Sequence, residues 1–127
     1  MAGYVVVRDA DLGGIVCERC ELADGVWSRF RGLQLRAGLE PGQGLLLRPC
    51  GSVHTFFMRF AIDVVFLDAG WRILGVRERL GPWRTAAARG AREVLELPAG
   101  EAGRLGLERG DWLAIDEPGV GRPREGS

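Results

Sequence analysis

The stretch "PCGSVHTFFMRFAIDVVFLD", residues 49–68, decides how this chain folds. Val53 to Phe60 and Ile62 to Asp68 are nearly unbroken apolar runs, rich in β-branched and aromatic side chains. A strand wetted on one side would alternate apolar and polar residues, so such runs predict strands covered on both faces. A small closed or nearly closed barrel covers strands in this way and leaves few free edges.

The flanking sequence supplies more strands. Tyr4 to Arg8 and Ile15 to Glu21, separated by the turn-like Leu12-Gly13-Gly14, predict a hairpin. Asp24 suits a helix N-cap, and Val26, Trp27, Phe30 and Leu33 recur behind it at helical spacing. One main helix is therefore expected over about 24–35, stopped by Gly38 and Pro41. Gly44 to Arg48 reads as a short strand, "DAGW" (68–71) as a turn, and Trp71 to Leu80 as a strand broken by Gly81 and Pro82. Glu93 to Leu97 and Trp112 to Asp116 follow as strands, with a short helical turn at about 101–107 between them. The expected fold class is mainly β, at the margin of α+β. It is a single compact barrel-like domain of antiparallel or mixed strands over 1–116, followed by a Gly- and Pro-rich tail, 117–127, expected to be disordered.

Composition removes several functions. The chain has 127 residues, enough for one domain with its own core. Seventeen acidic residues balance seventeen basic ones, so no global field favours nucleic acid, and none is expected as a partner. Every basic residue is arginine, which excludes a lysine Schiff base and a P-loop lysine. "GLEPGQG" and "LGLERGD" supply turns and match no dinucleotide or phosphate-loop fingerprint, so no cofactor is expected. No apolar run reaches the length of a membrane span, and "MAGYVVVRDA" lacks the features of a signal peptide. A cytoplasmic location follows as an expectation, with Cys17, Cys20 and Cys50 reduced.

His54 is the only histidine and lies four residues after Cys50. In an extended strand it shares one face with Phe56, Met58 and Phe60. Burial there favours the neutral ring, whose nitrogens still need partners, and Asp63 is the inward candidate to orient it. Cys50, His54 and Asp63 are the nucleophile, base and orienter that a thiol-dependent hydrolase requires. Against this stands the structural reading: cysteine is a small buried hydrophobe, and a lone histidine on an apolar face is commonly a satisfied core residue. No residue is assigned as catalytic. His54, Met58, Asp63 and Cys50 are the candidates to line a small-ligand site.

"CERC" (17–20) with Cys50 and His54 has the donors of a Cys₃His zinc tetrahedron. Regular strand positions three apart face opposite ways, so both thiols reach one metal only if the chain turns at 18–19. No metal site is assigned. A third reading is a protein-partner module, with an exposed aromatic patch at Trp71, Trp83 and Trp112.

In order along the chain come "WSRFRGLQLRAGL", "GQGLLLRPCGSVHTFFMRFAIDVVFLD", "VLELPAG" and "GLERGDWLAI". Together they resemble the family catalogued as domain of unknown function 192, over essentially residues 4–116. The resemblance implies a small, mainly β, barrel-like domain of bacteria and archaea, some of whose members are exported. It places the family's signature on Gly32, Leu33, Gly44, His54 to Met58, Ile62-Asp63-Val64, Phe66-Leu67-Asp68, Glu96 to Gly100, and Gly110-Asp111. "CERC" is no part of that signature. The resemblance implies no reaction, so the expected function is a non-catalytic binding or accessory module with a small-ligand site near His54.

Overall fold

A computed structural model of the chain describes residues 3–23, 38–55 and 58–116. The main helix expected over about 24–35 and the tail at 117–127 lie outside the described residues. The elements are β1 (Tyr4–Asp9), β2 (Ile15–Ala23), β3 (Gln43–Leu47), β4 (Ser52–His54), β5 (Ile62–Leu67), β6 (Ile73–Leu80), β7 (Thr85–Ala87), β8 (Glu93–Pro98), α1 (Glu101–Leu105) and β9 (Leu113–Asp116).

Seven strands form one mixed sheet in the order β6-β5-β8-β3-β2-β1-β9, while β4 and β7 pair separately. Within the sheet only β2 and β3 run parallel. The sheet curls into a half-barrel, and its edge strands meet at a single antiparallel bridge between Arg72 and Trp112. Ile73 N–H donates to Asp111 O at 2.8 Å and Leu113 N–H to Trp71 O at 3.0 Å, which secures that meeting. The edges are thereby largely hidden, as a small β protein requires.

Every residue of β5 is buried, as the sequence predicts for a strand covered twice. Strand alternation splits them between two cores. Val65 and Leu67 join Val5, Val7, Leu46, Leu95 and Leu113 in a cluster that draws on most strands of the sheet; this is the concave interior. Ile62, Val64 and Phe66 instead meet Leu45, Val94, Val53 and Met58 on the outer face. The β4–β7 pair lies over that outer face. Thr55 pins it there: its hydroxyl donates to Gly81 O at 2.6 Å and accepts from Arg84 N–H at 2.9 Å.

One strand is shorter than the apolar pattern predicts. β4 ends at His54, and Met58 N–H donates to Thr55 O at 3.2 Å, so the chain turns where an unbroken strand to Phe60 was expected. The cause is Thr55, fully buried, whose backbone and side chain are engaged by the 81–84 segment.

Candidate functional site

The turn at Thr55 separates the residues that a continuous strand would align. His54 is exposed, whereas Met58 is buried in the outer core. His54 is therefore not a core histidine, and it does not share a buried row with Met58. Cys50 is half-buried at the margin of the outer core, and its thiol donates to Ser52 O at 2.9 Å.

Asp63 lies on the other side of the wall. Its alternation along β5 places it with Val65 and Leu67, facing the interior. One carboxylate oxygen accepts Arg79 N–H at 2.8 Å; the other accepts Gly100 N–H at 3.0 Å and Ala102 N–H at 2.8 Å. These bonds satisfy amides at the start of α1, which has no capping side chain of its own. Asp63 thus anchors α1 to the sheet, and it faces away from Cys50 and Met58. The Cys50–His54–Asp63 constellation is not assembled, because a sheet wall separates its orienter from its thiol.

"CERC" departs from expectation in the opposite sense. The register runs Val5↔Cys20 and Val7↔Cys17, so β2 carries one more residue than β1 between these pairs. That bulge turns both thiols to the same face, and both are fully buried in the interior. A hydrogen bond to Cys17, and then burial, hold the Cys20 thiol well above the usual thiol range. Cys50 packs against the outer core, so the wall also divides the Cys₃His set. Among the described residues no group of His, Cys, Asp or Glu could hold a metal ion.

The tryptophans do not make one patch. Trp71 is buried, while Trp83 and Trp112 are exposed. Trp83 follows the C-terminal end of β6, and Trp112 is bridged to Arg72 at its N-terminal end. An eight-residue strand spans roughly 25 Å, which keeps the two indoles apart.

The residue that sequence reasoning passed over is Glu96, in the middle of β8. Val94 beside it belongs to the outer core, while Leu95 and Leu97 face inward. Glu96 therefore projects onto the outer face. Its cross-strand neighbours there are Leu45 and Val64, both fully apolar. Only 5% of Glu96 is exposed, and no side-chain ion pair is made to it among the described residues. Charge lies one strand further on each side, at Glu21 beyond Leu45 and Arg77 beyond Val64, roughly 10 Å away at normal strand spacing. Neither is close enough to offset the loss of water. Burial accordingly pushes the Glu96 carboxyl up to about 8, so it is mainly protonated at neutral pH. The signal was legible in "VLELP": an acid inside a run covered on both faces has to be buried.

A neutral carboxyl in an apolar wall can donate one hydrogen bond and accept others. It can also ionise if a cation arrives. A buried acid perturbed in this way is a candidate for a functional site.

The model of the domain of unknown function 192 family, described as an uncharacterized ACR, matches residues 9–115. This chain belongs to that family. The UPF0127 protein of Thermococcus sibiricus is 35% identical over 106 residues, covering 80% of this chain and 68% of its own length. The UPF0127 protein of Pyrococcus abyssi is 35% identical over 105 residues, covering 75% and 86%. Among solved structures, a putative transcription regulator from Sinorhizobium meliloti superposes with a TM-score of 0.77 at 25% identity, covering 91% of this chain and 94% of its own. A protein of unknown function from Novosphingobium aromaticivorans superposes at 0.75 with 24% identity, covering 88% and 84%.

Several signature positions of this domain of unknown function 192 have structural duties. A Cβ on Gly44 would lie 2.8 Å from Cys17 Sγ and 2.9 Å from Glu96 O, so β3 and β8 can approach only over a glycine. Asp63 holds α1. Gly100 takes φ 95, a left-handed conformation that glycine adopts without penalty, where α1 begins. The Glu96 side chain has no comparable duty among the described residues, where its strand neighbours are Leu45 and Val64. No helix among the described residues is long and apolar enough to cross a membrane.

Proposed function

We propose that this domain is a non-catalytic binding module for a small, largely apolar ligand, with Glu96 as the polar anchor. The observation that carries the reading is Glu96 itself, a residue only 5% exposed between Leu45 and Val64, whose carboxyl burial pushes up to about 8. Such a group costs stability unless something completes it, and a ligand can. Met58 forms part of the surrounding outer core, and half-buried Leu39, Cys50 and Phe60 pack at its margin, where a ligand would enter. His54 and Cys50 then belong to the rim of the site, while Asp63 supports the sheet from behind. A cytoplasmic setting suits three free cysteines.

The test is a fragment screen by amide NMR at pH 6, using small aromatic and aliphatic amines, amides and alcohols. Bound fragments are expected to shift the amides of Leu45, Val64 and Glu96 together, and to lose most of their affinity in Glu96→Leu. A screen in which no fragment perturbs these three strands would refute the reading.

A further inference from the structure

A separate feature lies where β3 and β5 end and β8 begins. There a cleft of about 440 Å³ is lined by Arg48, Pro49, Ala69, Arg92 and Glu93. Its volume falls within the range of small-ligand sites, roughly 300–1,000 Å³. The lining carries two guanidinium groups against one carboxylate. Asp68 is nearby, and one of its carboxylate oxygens, Oδ1, accepts the amides of its own turn, Gly70 N–H at 2.9 Å and Arg72 N–H at 3.0 Å.

The two arginines are held differently. Arg48 Nε lies 3.5 Å from Glu93 Oε1, a long ion pair with only one-third of the Arg48 side chain exposed. Glu93 is fixed in turn by Trp71, whose indole N–H donates to Oε2 at 3.0 Å. Trp71 does this from a left-handed backbone, φ 73, a conformation that costs a bulky residue energy and is retained only where neighbouring structure enforces it. Glu93 Oε1 is sealed from solvent without a hydrogen bond, so the carboxylate serves to place Arg48 rather than to meet a ligand.

Arg92 is exposed, and among the described residues its guanidinium has no partner. Its backbone is nevertheless fixed on both sides. Arg92 N–H donates to Leu67 O at 2.8 Å, and Arg92 O accepts Cys50 N–H at 2.8 Å. Two cations are thus mounted on rigid supports around one concavity, with the apolar surfaces of Pro49 and Ala69 completing it.

We propose that this cleft is a second binding site, for a small organic oxyanion whose carboxylate or phosphate head is held by Arg92 and Arg48 and whose compact apolar body rests on Pro49 and Ala69. Guanidinium groups match the paired oxygens of either head through parallel hydrogen bonds. The site is distinct from Glu96: Glu93 and Leu95 alternate to the interior side of β8, and the cleft opens at the end of the strands.

The experiment is an amide NMR titration of the full chain with sodium benzoate, phenyl phosphate and sodium chloride at matched ionic strength, read at Ala69, Arg92 and Glu93. Saturable shifts are expected with at least one oxyanion and not with chloride. Benzoate alone would assign a carboxylate ligand, and phenyl phosphate alone a phosphate monoester. Arg92→Ala is expected to weaken binding roughly tenfold and Arg92→Lys to recover part of it. Because the Arg92 side chain is exposed, these variants keep the fold. Chloride reproducing the shifts, no saturable binding by either oxyanion, or an Arg92→Ala protein that titrates like the parent would each overturn the site.

Discussion

Replacing Glu96 with glutamine gives a quantitative test of the outer-face site. The folded protein holds this carboxyl near 8, against 4.5 for an ordinary glutamate. Between those values the native state binds a proton that the unfolded chain releases. Stability therefore declines as pH rises through this window, and is unpenalised below the unfolded value. At about 1.4 kcal/mol per pH unit, the penalty grows to about 3 kcal/mol at pH 7 and approaches about 5 kcal/mol above pH 8. Glutamine keeps the shape without the proton. Glu96→Gln is thus expected to match the parent near pH 4.5 and to exceed it by a margin that widens steadily toward pH 8. Urea denaturation of both proteins at pH 5, 6, 7 and 8 measures that margin directly, and subtracting the curves cancels every other titrating group. Parallel curves across the range would mean that Glu96 is solvated or partnered in the folded protein. Both the burial argument and the proposed anchor would then fall.

Three further outcomes follow from the packing. Gly44→Ala forces a Cβ against Cys17 Sγ and the Glu96 carbonyl and is expected to cost about 2–3 kcal/mol; Cys17→Ala in the same chain removes only the sulfur clash, so thermal melts should show partial rescue. Asp63→Ala strands three amide donors, one of them buried, at an expected cost of about 3–4 kcal/mol. Asp63→Asn, which keeps one acceptor oxygen, is expected to lose less. A melt of Asp63→Ala within a degree or two of the parent would refute its anchoring role. Finally, a thiol reagent is expected to modify Cys50 in the folded protein, and Cys17 and Cys20 only after denaturant is added, since both are fully buried; mass spectrometry of the modified peptides checks this.

The cysteines and the histidine show where local reading stops. Alternation along a regular strand gives the right faces for Ile62 to Leu67, because that strand has no bulge or turn within its pairing to β8. The same rule fails for Cys17 and Cys20, where one extra residue in β2 reverses the facing, and for His54, where Thr55 ends the strand. A bulge and a side chain bonded to a loop some thirty positions away are set by partners distant in sequence, so neither leaves a local trace.

The sequence by itself determined the strands of the described residues other than β7, the short helical turn, the doubly covered β5 and the family, since these depend on apolar pattern, turn residues and motif order. Tertiary structure decided which groups meet. It placed Asp63 behind the wall as an anchor, put His54 in solvent, and gathered Arg48, Arg92 and Glu93 at one end of the sheet. It also isolated the Glu96 carboxyl between Leu45 and Val64. The physical reason is that a side chain's ionisation and reach depend on cross-strand neighbours, and strand pairing brings those neighbours from tens of residues away.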